Sequence, residues 1–273
     1  MGRKKKISEK VKIYNVVLIA VLIVLIFSLL AVLFTKLFRN TDYYKLESRV
    51  KDIEKAKKND TKNYETIGWV RVQGTNIDYP LYGLINDDYD YPVNESYLWS
   101  LNMDRDFHST MIAYGHNIMN LGSQPILKSS TFTRMEELMS FVYYDFAQDN
   151  EYFQLTIDGT DYLYKIFAVN FMTVADLNEY PEGEFSTKDK KNYVERIKKE
   201  SIYDYNVKVG DDDNIMSVVT CTRFFNDGTN YDFIITGRQV KAGEKVDKYK
   251  VKRNANYVKI EELLKGDEEN ENK

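Results

Sequence analysis

The chain of 273 residues holds a single cysteine, Cys221, so no disulfide can form within it. It holds two histidines, His108 and His116, and with one cysteine these give no set of ligands at zinc-binding spacing. No internal repeat, Walker loop or dinucleotide fingerprint is present. The formal net charge of −4 is small, which argues against nucleic acid as a partner. Nothing in the residues calls for a cofactor. Acidic runs at Asp87-Asp88-Tyr89-Asp90 and Asp211-Asp212-Asp213 carry the composition of a calcium loop, but a solvated acidic loop is the simpler reading.

Charge is also missing from residues 13–35, and Val16 to Phe34 is almost wholly Val, Leu, Ile, Ala and Phe. At 1.5 Å per residue such a helix reaches roughly 34 Å, enough for a hydrocarbon core of ~30 Å. A cleaved signal peptide would have a shorter apolar stretch and a small-residue site after it, whereas Thr35-Lys36-Leu37-Phe38-Arg39 follows here. Residues 13–36 therefore read as a retained transmembrane anchor. Arg3, Lys4, Lys5, Lys6, Lys10 and Lys12 precede it, against Lys36 and Arg39 just beyond. This bias puts residues 1–12 in the cytoplasm and the rest of the chain outside the cell. There an unpaired thiol is unusual: it is a packed bystander, an intermolecular partner or a nucleophile.

Beyond the anchor, residues 37–63 read as an amphipathic helical linker. Leu46, Val50, Ile53 and Lys57 fall at helical spacing between Thr41 and Lys58. It either packs on the following domain or stands as a stalk. Residues 64–242 are enough for one well-filled core, with many of the chain's 22 tyrosines and 14 phenylalanines. Residues 243–273 form a C-terminal extension. Its acidic end, Gly266 to Lys273, has no apolar residue and composes a disordered tail.

From Thr66 the pattern is one of short strands, expected at 68–72, 77–82, 97–100, 110–114, 152–157, 162–174, 215–221 and 233–240. Thr75-Asn76 and Asp158-Gly159 are turn signals, the second a hairpin turn. Helices are expected over 133–148 and 186–200. The latter opens on Ser186 and Asp189 and puts Tyr193, Val194 and Ile197 on one face. The fold class is thus mainly β with inserted helices (α+β): a mixed, mostly antiparallel closed β-barrel, plus an N-terminal transmembrane helix.

A cysteine attacks as thiolate and needs a base or a cation beside it. Cys221 ends an apolar strand, and His116 follows the strand Thr110–Tyr114 and a glycine. Two strand-end residues on one rim of a barrel make a Cys–His pair. His108, in a polar stretch before the strand, reads as solvated. A cysteine protease of the papain type would have its histidine after the cysteine, and none lies there.

These residues, in this order, resemble the sortases, the membrane-anchored cysteine transpeptidases of Gram-positive surfaces. The family signature Thr-Leu-x-Thr-Cys reads Ser217-Val218-Val219-Thr220-Cys221 here, keeping its last two positions. Ile67-Gly68-Trp69-Val70-Arg71-Val72 with Ile77-Asp78-Tyr79-Pro80 resembles the opening strands of class B sortases. Ala113-Tyr114-Gly115-His116-Asn117 resembles their histidine segment, and the helix at 186–200 resembles their inserted helix. The resemblance implies a sortase-like catalytic domain over 64–242, with Cys221 as nucleophile and His116 as general acid/base. It implies a transpeptidase that cleaves the sorting signal of a secreted protein through a thioester. The acyl group would pass to an amine of a peptidoglycan cross-bridge or a pilin lysine.

One departure from the family is serious. Sortases place an arginine just before the strand that follows the cysteine, where it holds the substrate backbone and the oxyanion. Here that position is Asp232, whose charge would oppose an oxyanion. Arg223, two residues past Cys221, shares its face if the strand continues and is the candidate substitute. Arg238 lies roughly 20 Å further along the next strand at ~3.3 Å per residue. The missing arginine leaves one rival reading, a tethered ectodomain that binds peptides or wall polymers without turnover.

Overall fold

The computed structural model describes residues 14–31, 46–62, 64–84, 98–100, 110–115, 117, 125–126, 135–173, 187–222, 231–255 and 257. Two compact units divide at Lys45/Leu46. The first contains helix α1, Tyr14–Ala31, whose length and apolar composition suffice to cross a membrane.

The second unit is built on eight strands: β1 (Tyr64–Val72), β2 (Asp78–Leu84), β3 (Leu98–Ser100), β4 (Thr110–Gly115), β5 (Tyr152–Ile157), β6 (Thr160–Thr173), β8 (Ile215–Cys221) and β9 (Tyr231–Gln239). They close into a barrel in the order β1-β2-β3-β4-β8-β9-β6-β5, with β5 returning to β1. The β2–β3 and β4–β8 pairs are parallel and the others antiparallel. A separate two-stranded ribbon pairs β7 (Tyr203–Asp204) with β10 (Lys252–Arg253).

Local sequence explains much of this. Asp158 and Gly159 both take positive φ, 49° and 72°, the backbone of a two-residue turn whose twist matches the strands it joins. They link β5 to β6 in register from Ile157↔Thr160 to Tyr152↔Lys165. Helix α4 (Thr187–Glu200) buries Tyr193, Val194 and Ile197, the face its spacing predicts. The helix expected over 133–148 is instead a 3-10 helix, Met135–Val142, followed by the short α3, Tyr144–Asp149. Nearly every side chain of that 3-10 segment is buried, so burial rather than helix propensity sets its path.

Of the linker helix expected from Thr41, residues 46–49 are not helical and α2 spans Val50–Ala56, with a 3-10 turn at Lys57–Asn59; residues 37–45 lie outside the described residues. Residues 46–49 are tied to the barrel: Gln154 bonds the Glu47 backbone at both N–H and C=O, and Arg49 pairs with Asp78 at 2.6 Å. With Ile53 buried, this segment is docked on the barrel rather than free as a stalk. The C-terminal stretch is held in the same manner, by Tyr152 to the Asp247 carbonyl and Tyr249 to the Glu151 and Ile166 carbonyls.

The core lies inside the barrel, where Phe153 stacks on Tyr164 with centroids 5.1 Å apart and planes 2° apart. Gly237 makes room for this pair. A Cβ there would sit 2.6 Å from Phe153 Cε1 and 3.1 Å from Tyr164 Cβ. Gly237→Ala is therefore expected to lower stability by about 1–3 kcal/mol, read as a reduced urea midpoint. An unchanged midpoint would mean the stacked rings are free to move.

Candidate active site

Strand β8 explains the placement of the thiol. Ile215 to Thr220 are all buried, and Cys221, the last strand residue, is the first to be partly exposed. The strand end is held at two points from the β4 side. The Thr220 hydroxyl donates to the Gly115 carbonyl at 2.8 Å, and Asn117 Nδ2 donates to the Cys221 carbonyl at 2.9 Å. The parallel β4–β8 register ends at Gly115↔Thr220, one residue before Cys221. On the other side, β9 pairs Asp232 with Cys221 directly.

Side chains on this face meet because strand residues two apart share a face. Tyr114 lies beside Val219 in register and so projects toward Cys221. Its hydroxyl is 2.9 Å from Cys221 Sγ and donates to Asp232 Oδ1 at 2.7 Å. Asp232 is 3% exposed.

Burial dominates the electrostatics. It pushes the Cys221 thiol up, and the Asp232 charge adds to this. Burial raises the Asp232 carboxyl to about 6, against the hydrogen bond it accepts from Tyr114. Burial likewise raises the Tyr114 phenol. The thiol is thus neutral at rest and must lose its proton to something as it attacks.

No protein-family model matches the chain. Over 171 residues it is 30% identical to the curated Sortase B of Listeria monocytogenes, covering 58% of this chain and 63% of the relative. Its barrel superposes on the Clostridium perfringens sortase B structure with a TM-score of 0.55 at 22% identity, over 69% of this chain and all of that one. The chain is similar in sequence to class B sortases and shares their fold. It spans somewhat under two thirds of the Listeria sortase B that it matches. A sortase B crystallised with a triglycine peptide shares the fold, with a TM-score of 0.55 at 18% identity, over 71% of this chain and 87% of that one. At such identities the superpositions speak for the sortase fold alone.

Within that sortase barrel the residues expected from sequence fall into three groups. Cys221 stands at the rim, half-buried and bonded as described. His116 and Arg223 lie outside the described residues, as do His108 and the acidic run at 87–90. Strand β8 ends at Cys221, so the condition attached to Arg223, a strand continuing past the thiol, is not met among the described residues. Arg238 is excluded by position and by its bonds. It pairs with Ile215, the opposite end of β8 from Cys221, roughly 20 Å away at ~3.3 Å per residue. Its guanidinium is a buried strut: two 2.6 Å bonds to Glu244, bonds to the Lys208 and Gln239 carbonyls, and Asp213 at 3.7 Å. An open hollow of about 580 Å³ lies at that end, lined by Lys208, Asp213, Arg238 and Glu244, far from the thiol. The run at 211–213 is also committed, with Asp213 paired to Lys241 at 2.7 Å and its carbonyl bonded by Lys190.

Sequence reasoning missed Tyr114 as a partner of the thiol. It had cast Asp232 only as an anion in the wrong place. The usable signal was the pair of strand ends, since a tyrosine two residues before His116 shares the face that a strand-end cysteine occupies.

Proposed function

We propose that this protein is a transpeptidase acting on secreted proteins through Cys221. The observation that carries the reading is the lone thiol at the end of β8, half-buried, on a sortase-like barrel whose neighbouring strand leads into His116. In this mechanism the Cys221 sulfur attacks the carbonyl of a Thr-Gly-like or Thr-Asn-like bond in a sorting signal. His116 protonates the departing amine and later takes a proton from the incoming one. Arg223, with a backbone N–H near Cys221, holds the oxyanion. The thioester then passes to an amine, either a peptidoglycan cross-bridge or a pilin lysine. A glycine amine is a fitting acceptor, in keeping with the triglycine bound to a sortase B of this fold.

Topology follows from α1 and the charge bias. The helix anchors the protein in the cell membrane, with the lysine-rich start in the cytoplasm and the barrel outside. One observation favours a second reading, binding without turnover: Asp232, an anion, occupies the strand position where the family's arginine is expected.

The test is ligation. Full-length protein in detergent is incubated with triglycine and peptides of the Leu-Pro-x-Thr-Gly and Asn-Pro-x-Thr-Asn types. A peptide cleaved after threonine and joined to triglycine is the expected product. Binding of a peptide with no cleavage of any would favour the second reading.

A further inference from the structure

The contact between Asp232, Tyr114 and Cys221 has a direction. A carboxylate has no proton to give, so at 2.7 Å the Tyr114 hydroxyl is the donor to Asp232 Oδ1. That hydroxyl has one proton, so at the 2.9 Å contact with Cys221 Sγ its oxygen accepts, from the thiol S–H. The three groups form a chain, S–H to O–H to carboxylate, that leads from the sulfur to Asp232. Among the described residues, the titratable groups facing the Asp232 carboxyl are Tyr114 from β4 and Cys221 from β8, and the β6 residue paired with it is Met172.

We infer that Asp232, acting through the Tyr114 hydroxyl, receives the proton of Cys221 as the sulfur attacks the peptide carbonyl and returns it when the thioester is resolved. The inference rests on the reading of Cys221 as the nucleophile. Tyr114 touches the reacting sulfur, and Asp232 acts through Tyr114.

The protons balance. In the first half, the S–H proton moves to the Tyr114 oxygen as the Tyr114 proton moves to Asp232, and sulfur bonds to the carbonyl carbon. The peptide C–N bond breaks and its amine takes a proton from His116. In the second half, the acceptor amine gives its proton to His116 while attacking the thioester. The C–S bond breaks, and the sulfur regains its proton from Tyr114, which is reprotonated by Asp232. This scheme leaves His116 free to begin as the acid.

It also resolves the conflict at Asp232. An anion beside the sulfur would oppose charge building on sulfur and then on the carbonyl oxygen. Once it has taken the proton, the carboxyl is neutral at the moment the oxyanion forms. The group standing where an arginine is expected is thereby discharged by the reaction itself. Its low exposure fits this use, since a buried carboxyl accepts a proton more readily than a solvated one.

The test reads two rates on full-length protein in detergent: acylation of Cys221 by a sorting-signal peptide, and its alkylation by iodoacetamide. The variants are Asp232→Asn, Tyr114→Phe and the double substitution. Asp232→Asn is expected to slow acylation about 100-fold, the scale of a lost general base. The same substitution is expected to speed alkylation, because the anion that holds the thiol proton is gone. Tyr114→Phe should slow acylation by a similar factor, and the double variant no further, since the two act as one unit. In the unsubstituted protein the acid limb of acylation should fall near 6, where Asp232 titrates, and should vanish in Asp232→Asn. Acylation at the unsubstituted rate in Asp232→Asn would overturn the proposal and leave the transpeptidase reading standing. Absence of acylation in the unsubstituted protein, with alkylation normal, would remove that reading and the proposal with it.

Discussion

Replacing Cys221 with Ala is expected to abolish peptide ligation, with a loss of about 10⁴-fold or more, because the chain holds no second thiol to take its place. The fold should survive. The thiol is half-buried at the end of β8, and the two bonds that fix the strand end use backbone carbonyls and the Thr220 and Asn117 side chains, none of which alanine disturbs. Tyr114 would keep its bond to Asp232 and lose only the sulfur contact. The check is the ligation rate together with the urea midpoint. Ligation retained at full rate in the alanine variant would end the account of Cys221, whatever the state of its neighbours.

Arg238→Met is expected to cost about 3 kcal/mol of stability and to leave the ligation rate of the folded protein within a few-fold of normal. The destabilisation comes from stranding Glu244 and Asp213, which the guanidinium bonds at one end of the barrel. That Arg238 bond is the main reason the Glu244 carboxyl is held down at about 2. A carboxyl depressed in the folded state contributes stability above its ordinary pKa, here 4.5, and loses it as pH falls toward 2. The gap between Arg238→Met and the unsubstituted protein should therefore narrow as the pH is lowered through that window. Arg223→Ala is the contrast. If Arg223 holds the oxyanion, ligation drops by about 10²–10³-fold with little change in the urea midpoint. Loss of ligation in a folded Arg238→Met protein would instead put Arg238 in the reaction, against its position beside Ile215.

Both expectations turn on long-range geometry, which is where sequence and structure part. Strands such as β5 and β8 were legible because short apolar runs bounded by turn residues leave little choice of bounds. The Asp158-Gly159 hairpin was legible because its backbone demands those residue types. The start of α2 was not, since Gln154, remote in sequence, ties up the Glu47 N–H and C=O where local spacing favours helix. Nor was the 3-10 path of Met135–Val142, which burial on all sides imposes.

At the site, the same division holds. The distance of Arg238 from Cys221 could be read from strand length alone, and the β8–β9 register puts Arg238 opposite Ile215, at the far end of β8. The meeting of Tyr114, Cys221 and Asp232 could not be made so. It depends on a parallel pairing of β4 with β8 and an antiparallel pairing of β8 with β9, each set by contacts far apart in the chain. Sequence put Asp232 just before the next strand, whereas it is the second residue of β9, and gave it only the role of an obstacle.

The most direct measurement is the intact mass of the full-length protein, trapped shortly after mixing with a sorting-signal peptide and then mapped by proteolysis. The account predicts a mass increase equal to the acyl part of the peptide, located on the fragment that carries Cys221 and released by added triglycine or hydroxylamine. An acyl group found on any other residue, or peptide ligation with no adduct on Cys221 at any time, would contradict it.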